Sequence, residues 1–394
     1  MNRKFVVSSP CVLRSMACRP VVCSLALVAL LGAAPAQVQV SEDRKDPSNS
    51  ASTLEGYQYN QHIFALTNGL IRYGLSYHAY WETKGPGTKP SPEGYLGMPS
   101  PAGMNWYGGG FMNPLINGKS LGNLRPSTLR IVERDERGVV EMLWTTPEGQ
   151  VRLRFMLLPE KDYLLCELAL QPKEEIRKLE LVLNCFPSFF TSWNKRDGWR
   201  QVIGPVTITE QGNQATLDGI KDNWLLYQDT VFDVAKEKDS MGPCGLLFLP
   251  EQVTTAKLNV TNYPVGTVLS VKPEVRKVRL AFWDFNRKTN AEALARLRKV
   301  EGEVTKELRE TDFRDRQVVT YDAARERVEL EAMIGKSTEP AKWRKTLVPL
   351  GEKIVAALDA MKGGDLGAEQ TASQAIAEYR EGIWELRFDS LLND

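Results

Sequence analysis

The sequence predicts a mainly β protein, a large antiparallel β-sandwich followed by an α-helical C-terminal segment. Between Val139 and Pro187, four apolar runs are separated by turns rich in proline, glycine and charge. Within these runs apolar and polar residues alternate with period two, which is typical of half-buried antiparallel strands. After Asn286 the apolar residues recur every three or four positions, as on one face of a helix. The 394 residues, 42% of them hydrophobic, allow a large β domain with an appendage.

The period-two pattern also predicts which strand face is buried. In the second run, Arg152 and Arg154 alternate with apolar residues and therefore point to the face opposite them. In the fourth run, Leu181 shares its face with Leu179 and Leu183, so we expect Leu181 on the inner face of the sandwich. Flanking segments must cover the apolar face of such a sheet.

The N-terminal residues 1–36 have the pattern of a secretory signal peptide. Basic residues precede an apolar run at 21–33, and Ala34-Pro35-Ala36 resembles a small-residue cleavage site. The run is too short for a membrane span, so a mature chain without one is expected, secreted or periplasmic. Met1 and Met16 both remain possible starts. Residues 37–56 are polar and lack aromatic residues, which predicts a flexible leader.

The predicted sandwich domain covers residues 57–286. Its first strand pair surrounds Asn68-Gly69, a dipeptide suited to a tight hairpin turn. Residues 84–126 are rich in glycine and proline and predict a long loop, and loops of this length are more often functional than accidental. Further strands are expected near 206–209, 224–234, 245–249, 257–263, 268–272 and 277–285.

Residues 287–394 form the predicted helical segment. Thr289 and Glu292 have the spacing of a capping box at the start of its first helix. A later apolar stripe ends at Gly363-Gly364, a helix-stop signal, and one more stripe follows it. We expect the last two helices to be an antiparallel pair and the segment to pack on the sandwich.

The net charge bears on the class of partner, and the cysteines bear on whether the chain contains disulfides. The net charge is +1, which does not indicate a nucleic-acid surface. Without residues 1–36, Cys166, Cys185 and Cys244 remain. Two interpretations stay open: buried small hydrophobic residues, or a Cys166–Cys185 bridge between adjacent strands.

The predicted binding residues are aromatic and polar side chains in and around glycine-rich segments. Aromatic rings pack against the C–H faces of sugars, while amide and guanidinium groups bond to hydroxyls. We expect one shared groove, bordered by Trp106, Tyr107, Trp193 and Trp199 with Arg196 and His78 nearby. In the alternative interpretation the rings pack under the loops and cap the sandwich. The predicted ligand-binding residues are His78, Trp81, Trp106, Tyr107, Trp193, Arg196 and Trp199.

The sequence assigns no catalytic residue, metal site or cofactor. His62 and His78 lie in one strand pair, and the spacing of other residues suggests no third metal ligand. Acidic residues are numerous, but a glycosidase needs two carboxylates at a defined separation, which sequence does not supply.

The runs RFMLLPEKDYLLCELALQP and KLELVLNCFPSFF carry a resemblance to known proteins. In these runs the chain resembles the β-supersandwich of galactose-mutarotase-like and polysaccharide-processing proteins, in which sugars lie on a concave sheet face. The resemblance implies a carbohydrate ligand. Aldose epimerases of that fold use two histidines far apart in the chain and a glutamate; His62 and His78 do not match this pattern.

Three functions follow as hypotheses. The first is a carbohydrate-recognising β-sandwich protein, and the second is a polysaccharide hydrolase or lyase. The third is a structural or interaction protein that binds a protein partner through its C-terminal helices.

Overall fold

The computed structural model describes most of the chain after residue 36. Side chains are described throughout these ranges except at 45, 57–60, 79–82 and 99–100. The described ranges are 37–45, 57–82, 94–100, 105–106, 110–122, 124–188, 199–230 and 242–391.

Ten strands form the first sheet within the described ranges. They are β1 (Gln39–Lys45), β2 (Tyr57–Thr67), β3 (Arg72–Glu82), β4 (Gly94–Ser100), β5 (Met112–Ile116), β6 (Lys119–Ser120), β11 (Leu179–Cys185), β14 (Gln214–Asp218), β17 (Val253–Val260) and β18 (Val265–Val271). The order across the sheet is β1-β2-β3-β4-β5-β11-β18-β17-β14, and β6 pairs with β5.

Nine strands of the same described part form the second sheet. They are β7 (Thr128–Glu133), β8 (Gly138–Thr146), β9 (Gly149–Leu157), β10 (Leu164–Pro172), β12 (Arg200–Ile203), β13 (Ile208–Glu210), β15 (Trp224–Asp229), β16 (Cys244–Phe248) and β19 (Lys277–Asp284). Their order is β13-β12-β15-β16-β19-β10-β9-β8-β7. The predicted mainly β, antiparallel architecture is therefore confirmed.

The core lies between the inner faces of the two sheets. Leu181 is wholly buried there, while Val182, the next residue of β11, is half-buried on the opposite face. Tyr77 of the first sheet meets Trp144 of the second edge to face, with ring centroids 6.3 Å apart. The period-two pattern of β11 thus predicts its buried face correctly.

The four runs between Val139 and Pro187 do not stay in one sheet. β8, β9 and β10 form an antiparallel meander in the second sheet, whereas β11 pairs with β5 and β18 in the first. The chain changes sheet between Pro172 and Leu179. Cys166 on β10 and Cys185 on β11 therefore lie on strands of different sheets, and the Cys166–Cys185 bridge is wrong; both are free, buried thiols.

Two segments interpreted as irregular contain strands. Part of the predicted leader forms β1, which pairs with β2 from Gln39 to Lys45. Val38 and Val40 are buried, and this short alternation anchors an otherwise polar edge strand. The predicted loop at 84–126 contains β4, β5 and β6.

Five helices follow the sandwich in the described chain: α1 (Asn290–Glu310), α2 (Arg316–Val319), α3 (Ala323–Ile334), α4 (Pro340–Lys362) and α5 (Ala368–Leu391). The capping box of Thr289 and Glu292 is present at the start of α1. α4 ends at Lys362 with Gly363 as its C-cap. Ile354 of α4 and Ile376 of α5 belong to one buried cluster between these helices.

α1 covers part of the outer face of the second sheet, the face away from the core. Leu297 and Val304 of α1 belong to one buried cluster with Trp224 of β15 and Trp283 of β19. This apolar face would otherwise be exposed to water, so its burial stabilises the association of helix and sheet.

A buried ionic cluster attaches α5 to the same outer face. Arg152 and Arg154 point away from the core, as the alternation predicts, yet they are only 4% and 0% exposed. Arg152 Nη1 donates to Glu369 Oε2 of α5 at 2.5 Å, and Arg154 Nη1 donates to Glu369 Oε1 at 2.8 Å. Arg154 Nε also donates to Glu141 Oε2 of β8 at 2.7 Å. The outer face of the second sheet is therefore an interface inside the molecule.

Candidate functional site

The two outer sheet faces differ in what covers them. Helices and the ionic cluster cover much of the outer face of the second sheet. On the outer face of the first sheet, Gln61, His78, Tyr95 and Val182 are half-buried. The outer face of the first sheet is therefore the better candidate for a ligand surface.

His78 lies on this outer face because its neighbour Tyr77 is buried in the core and successive strand residues point in opposite directions. Gln61 of β2 lies opposite His78 on one side, and Tyr95 of β4 lies opposite it on the other. The imidazole stacks on the Tyr95 ring with centroids 4.5 Å apart and an interplanar angle of 14°. Three adjacent strands thus place an aromatic stack and an amide side by side.

Hydrogen bonds fix the His78 ring. Its Nε2 lies 3.2 Å from Nε2 of Gln61 and in hydrogen-bond contact with Oγ of Ser76. Gln61 Nε2 also donates to Ser76 Oγ at 3.1 Å. Because Gln61 donates through this nitrogen, Nε2 of His78 is best assigned as an acceptor.

The His78 ring is neutral over most of the physiological pH range. Burial lowers its pKa from 6.5 to about 4, because the charged imidazolium would lose its hydration. A neutral imidazole has one donor and one acceptor nitrogen, and here the acceptor Nε2 already contacts Gln61 and Ser76. The site therefore presents uncharged hydrogen-bonding groups beside an aromatic surface.

Gly94, at the start of β4, lets this strand approach β3 closely. A Cβ at this position would collide with the carbonyl oxygen of His78 and lie 3.1 Å from the Tyr77 ring. The absence of a side chain at Gly94 therefore allows Tyr95 to reach stacking distance from His78.

The side-chain amides of Asn113 and Asn184, on the same outer face, form hydrogen bonds with neighbouring segments of the same chain. Asn113 Oδ1 accepts hydrogen bonds from Ser120 Oγ at 3.0 Å and from the Gly122 amide at 2.9 Å. Asn184 Nδ2 donates to the Gly110 carbonyl at 3.0 Å. These contacts order the segment beside the His78–Tyr95 stack.

Trp106 requires a correction, because it lies in the core and not on an open surface. It is wholly buried, and its Nε1 donates to the Trp283 carbonyl at 2.8 Å. Its ring meets those of Phe111, Tyr227 and Phe282 edge to face. The alternative interpretation, a ring packed under the loops, is correct for this residue.

The other predicted site residues are only partly described. Trp199 is 44% exposed and precedes β12, where its amide donates to Asp229 Oδ1 at 3.1 Å. Trp81 lies in β3, and only its backbone is described. Tyr107, Trp193 and Arg196 lie outside the described residues. Of the predicted set, His78 is the residue that the structure places in an aromatic and polar cluster.

Sequence reasoning missed Gln61, Ser76 and Tyr95. Gln61 and Ser76 have the parity of His78 once β2 and β3 are paired around Asn68-Gly69, so the hairpin register could have found them. Tyr95 lies in the segment interpreted as a loop, and its stacking partner follows only from the pairing of β3 with β4.

The described residues contain neither a cluster of metal-ligating side chains nor a helix suited to a membrane span. Across the described ranges, no group of three or more His, Cys, Asp or Glu side chains is placed to hold a metal ion. None of the helices described combines the length and apolar character needed to cross a bilayer.

Among known proteins, similarity to this chain is found in solved structures and not in sequence families. No protein-family model matches the chain, and no curated protein is similar to it in sequence. An aldose 1-epimerase-like protein from Klebsiella pneumoniae is similar with a TM-score of 0.34 and 9% identity, covering 68% of this chain and 96% of that one. An α-N-acetylgalactosaminidase from Bifidobacterium bifidum is similar with a TM-score of 0.38 and 7% identity, covering 72% of this chain.

The chain spans 42% of the length of that glycosidase. A TPR-domain-containing protein from Parabacteroides distasonis is also similar, with a TM-score of 0.35 and 9% identity, covering 92% of this chain and 80% of that one. The similar structures thus include proteins of the kind that the sequence resembles. With TM-scores below 0.5, they decide no activity.

Proposed function

We propose that the protein recognises carbohydrate on the outer face of the first sheet, around His78 and Tyr95. The observation that supports this proposal is the stacked, neutral His78–Tyr95 pair beside the Gln61 amide. A sugar ring presents an apolar C–H face for stacking and uncharged hydroxyls for hydrogen bonds. A site without a charged imidazole suits such a ligand better than it suits a phosphate or a carboxylate.

The experiment is a calorimetric titration of neutral and acidic oligosaccharides into the wild type, Tyr95→Ala and a control. We expect Tyr95→Ala to weaken binding by about 1 kcal/mol, or about fivefold in Kd, because an aromatic contact is lost. Trp384→Ala is the matched control, since Trp384 is an aromatic residue of α5 that is 71% exposed. It should bind as the wild type does.

If no oligosaccharide binds the wild type, or Tyr95→Ala binds as tightly as the wild type, the proposal fails. The same samples distinguish recognition from catalysis. Release of reducing ends or unsaturated products from a polysaccharide by the wild type would favour the hydrolase or lyase instead.

We also propose export, to the periplasm or beyond the cell. The support is the succession of basic, apolar and small residues in 1–36. N-terminal sequencing of exported material should find a new end near Gln37. Recovery of the chain with Met1 or Met16 intact from the cytosol would contradict export.

A second candidate function, association with a protein partner, has one observation in its favour. Trp384, Phe388 and Leu391 of α5 are 71%, 61% and 73% exposed, and their spacing places them on one side of the helix. Exposed apolar side chains in one stripe are typical of helix-mediated contacts. A partner that the wild type captures should not be captured by the Trp384→Ser/Phe388→Ser variant. The same partner, once purified, should bind the wild type again. Equal capture by both chains would exclude this surface.

A further inference from the structure

Cys185 and Cys244 meet across the core of the sandwich. Cys185 is the last residue of β11 in the first sheet, and Cys244 is the first residue of β16 in the second. Each of the two thiols affects the pKa of the other, as side chains within hydrogen-bonding reach do, and the Cys185 thiol donates to the Asn105 carbonyl at 3.1 Å. Both side chains are buried in the main core cluster. Two cysteines from opposite sheets are therefore in contact.

Contacts that do not involve sulfur hold the two strands in this arrangement. Cys185 forms a backbone bridge with Trp106, and Cys244 pairs with Tyr227 on β15. The rings of Trp106 and Tyr227 pack with centroids 5.6 Å apart. The Tyr227 hydroxyl reaches Thr267 Oγ1 of the opposite sheet at 2.9 Å. The proximity of the thiols thus follows from the packing of the sheets.

Cys166 has a different environment. It lies on β10 between Phe155 of β9 and Leu280 of β19, which are its cross-strand neighbours. Its burial raises the pKa of its thiol well above the usual value, with a smaller contribution from the Glu167 carboxylate. Neither neighbouring strand places a cysteine opposite it.

We propose that Cys185 and Cys244 form a disulfide that joins the two sheets when the chain folds in an oxidising compartment, and that Cys166 remains a thiol. A disulfide between facing sheets is an established way of stapling a β-sandwich, as in antibody domains. This inference rests on the proposed export and not on the proposed carbohydrate site, and it concerns a modification of the core.

The step requires an external disulfide as the oxidant. One protein thiolate attacks a sulfur of that disulfide, forms a mixed disulfide and releases one small thiol. The second protein thiolate then attacks the mixed disulfide at the protein sulfur, and the second small thiol leaves. Two protein thiols lose two electrons and two protons, and the external disulfide becomes two thiols.

Burial fixes when this step can occur. Burial raises the pKa of Cys185 and raises that of Cys244 well above its usual value, so the reactive thiolates are scarce in the folded protein. The bond should therefore form before the core closes, and a protein folded in the reduced state should resist oxidation.

The experiment is peptide mapping after oxidative refolding of the full chain. The chain is unfolded in reductant, refolded with oxidised and reduced glutathione, alkylated after unfolding without reductant, and digested with trypsin. We expect the peptides 179–195 and 239–257, which contain Cys185 and Cys244, to be joined. The peptide 162–173, which contains Cys166, should carry the alkyl group.

Thermal unfolding with and without reductant supplies the second measurement. Reductant present from refolding onward should lower the Tm of the wild type and of Cys166→Ala by the same several degrees, because both can form the bond. Cys185→Ala/Cys244→Ala should show no such difference. Separate alkylated peptides for Cys185 and Cys244 from the refolded wild type, or a bond to Cys166, would overturn the proposal.

Discussion

Nη1 of Arg154 lies 2.8 Å from Oε1 of Glu369, and this contact joins the middle of β9 to the first turn of α5. Both side chains are almost wholly buried. Glu369 Oε1 also accepts a hydrogen bond from the Asp315 amide at 2.6 Å. A single carboxylate therefore connects the second sheet, the chain after α1 and the last helix.

The first prediction concerns the removal of this carboxylate. Glu369→Ala leaves Arg152 and Arg154 buried with less compensating charge, and such a change typically costs about 3–5 kcal/mol. Glu378→Ala is the control, since Glu378 is an exposed residue of the same helix and should change stability by less than about 0.5 kcal/mol. Denaturant unfolding measures both. Equal stabilities of the two variants would show that the buried pair contributes nothing net.

The ionic cluster also predicts a loss of stability in acid. Burial alone would raise the pKa of Glu369, but Arg154 and Arg152 outweigh it and hold the pKa below the usual 4.5. A lowered folded-state pKa contributes stability above pH 4.5 that is lost as the pH falls through the folded value. The free energy of unfolding should therefore decline below about pH 4.5. The decline should be shallower for Glu369→Gln, and an identical profile would remove Glu369 as a cause.

His78 predicts an effect of pH with a different origin. Its pKa is about 4 in the folded protein against 6.5 for an ordinary histidine, so the unfolded chain binds more protons between these values. Its contribution to stability should fall as the pH decreases from 6.5 to 4. An NMR titration of the imidazole C–H signals, assigned with His62→Gln, measures the value directly. A midpoint near 6.5 would contradict the buried, neutral ring.

The inner face of β11 gives a matched pair of substitutions. Leu181→Ala should cost about 2–5 kcal/mol, the range for a buried leucine. Val182→Ala, at the next and half-buried position of the same strand, should cost clearly less. Denaturant unfolding of both variants gives the comparison. A smaller cost at Leu181 than at Val182 would reverse the assignment of the two faces.

Local patterns predict the buried face of a strand and the ends of helices. The alternation around Leu181 identifies the buried face of β11, because the side-chain period of a strand is two. Thr289 with Glu292 and Gly363 identify helix ends, because capping depends on residues three or four positions apart. These features need no information from distant parts of the chain.

What covers a strand could not be predicted in the same way. Arg154 meets Glu369 from 215 positions later, and alternation tells only that Arg154 points away from the core. Trp106 is close in sequence to a glycine run, which is typical of a loop, yet its backbone forms an antiparallel β-bridge with Cys185, far away in the sequence. Likewise, the sequence identifies His78 as polar and flanked by aromatics, but Tyr95 becomes its stacking partner only through the register of β3 and β4.

The pairing of β10 with β19 has a consequence for the time during which the chain is synthesised. β8, β9 and β10 can pair as soon as they are synthesised. The other edge of β10 stays unpaired until β19 is synthesised. Arg279 of β19, which donates to Glu167 of β10, lies 112 positions later in the chain. At typical rates of about 5–20 residues per second, this edge stays open for roughly 6–22 s. Leu164 and Leu168 would make an open edge prone to pair with other chains. Glu167 lies between them in the sequence, and a charged residue on the edge disfavours such pairing.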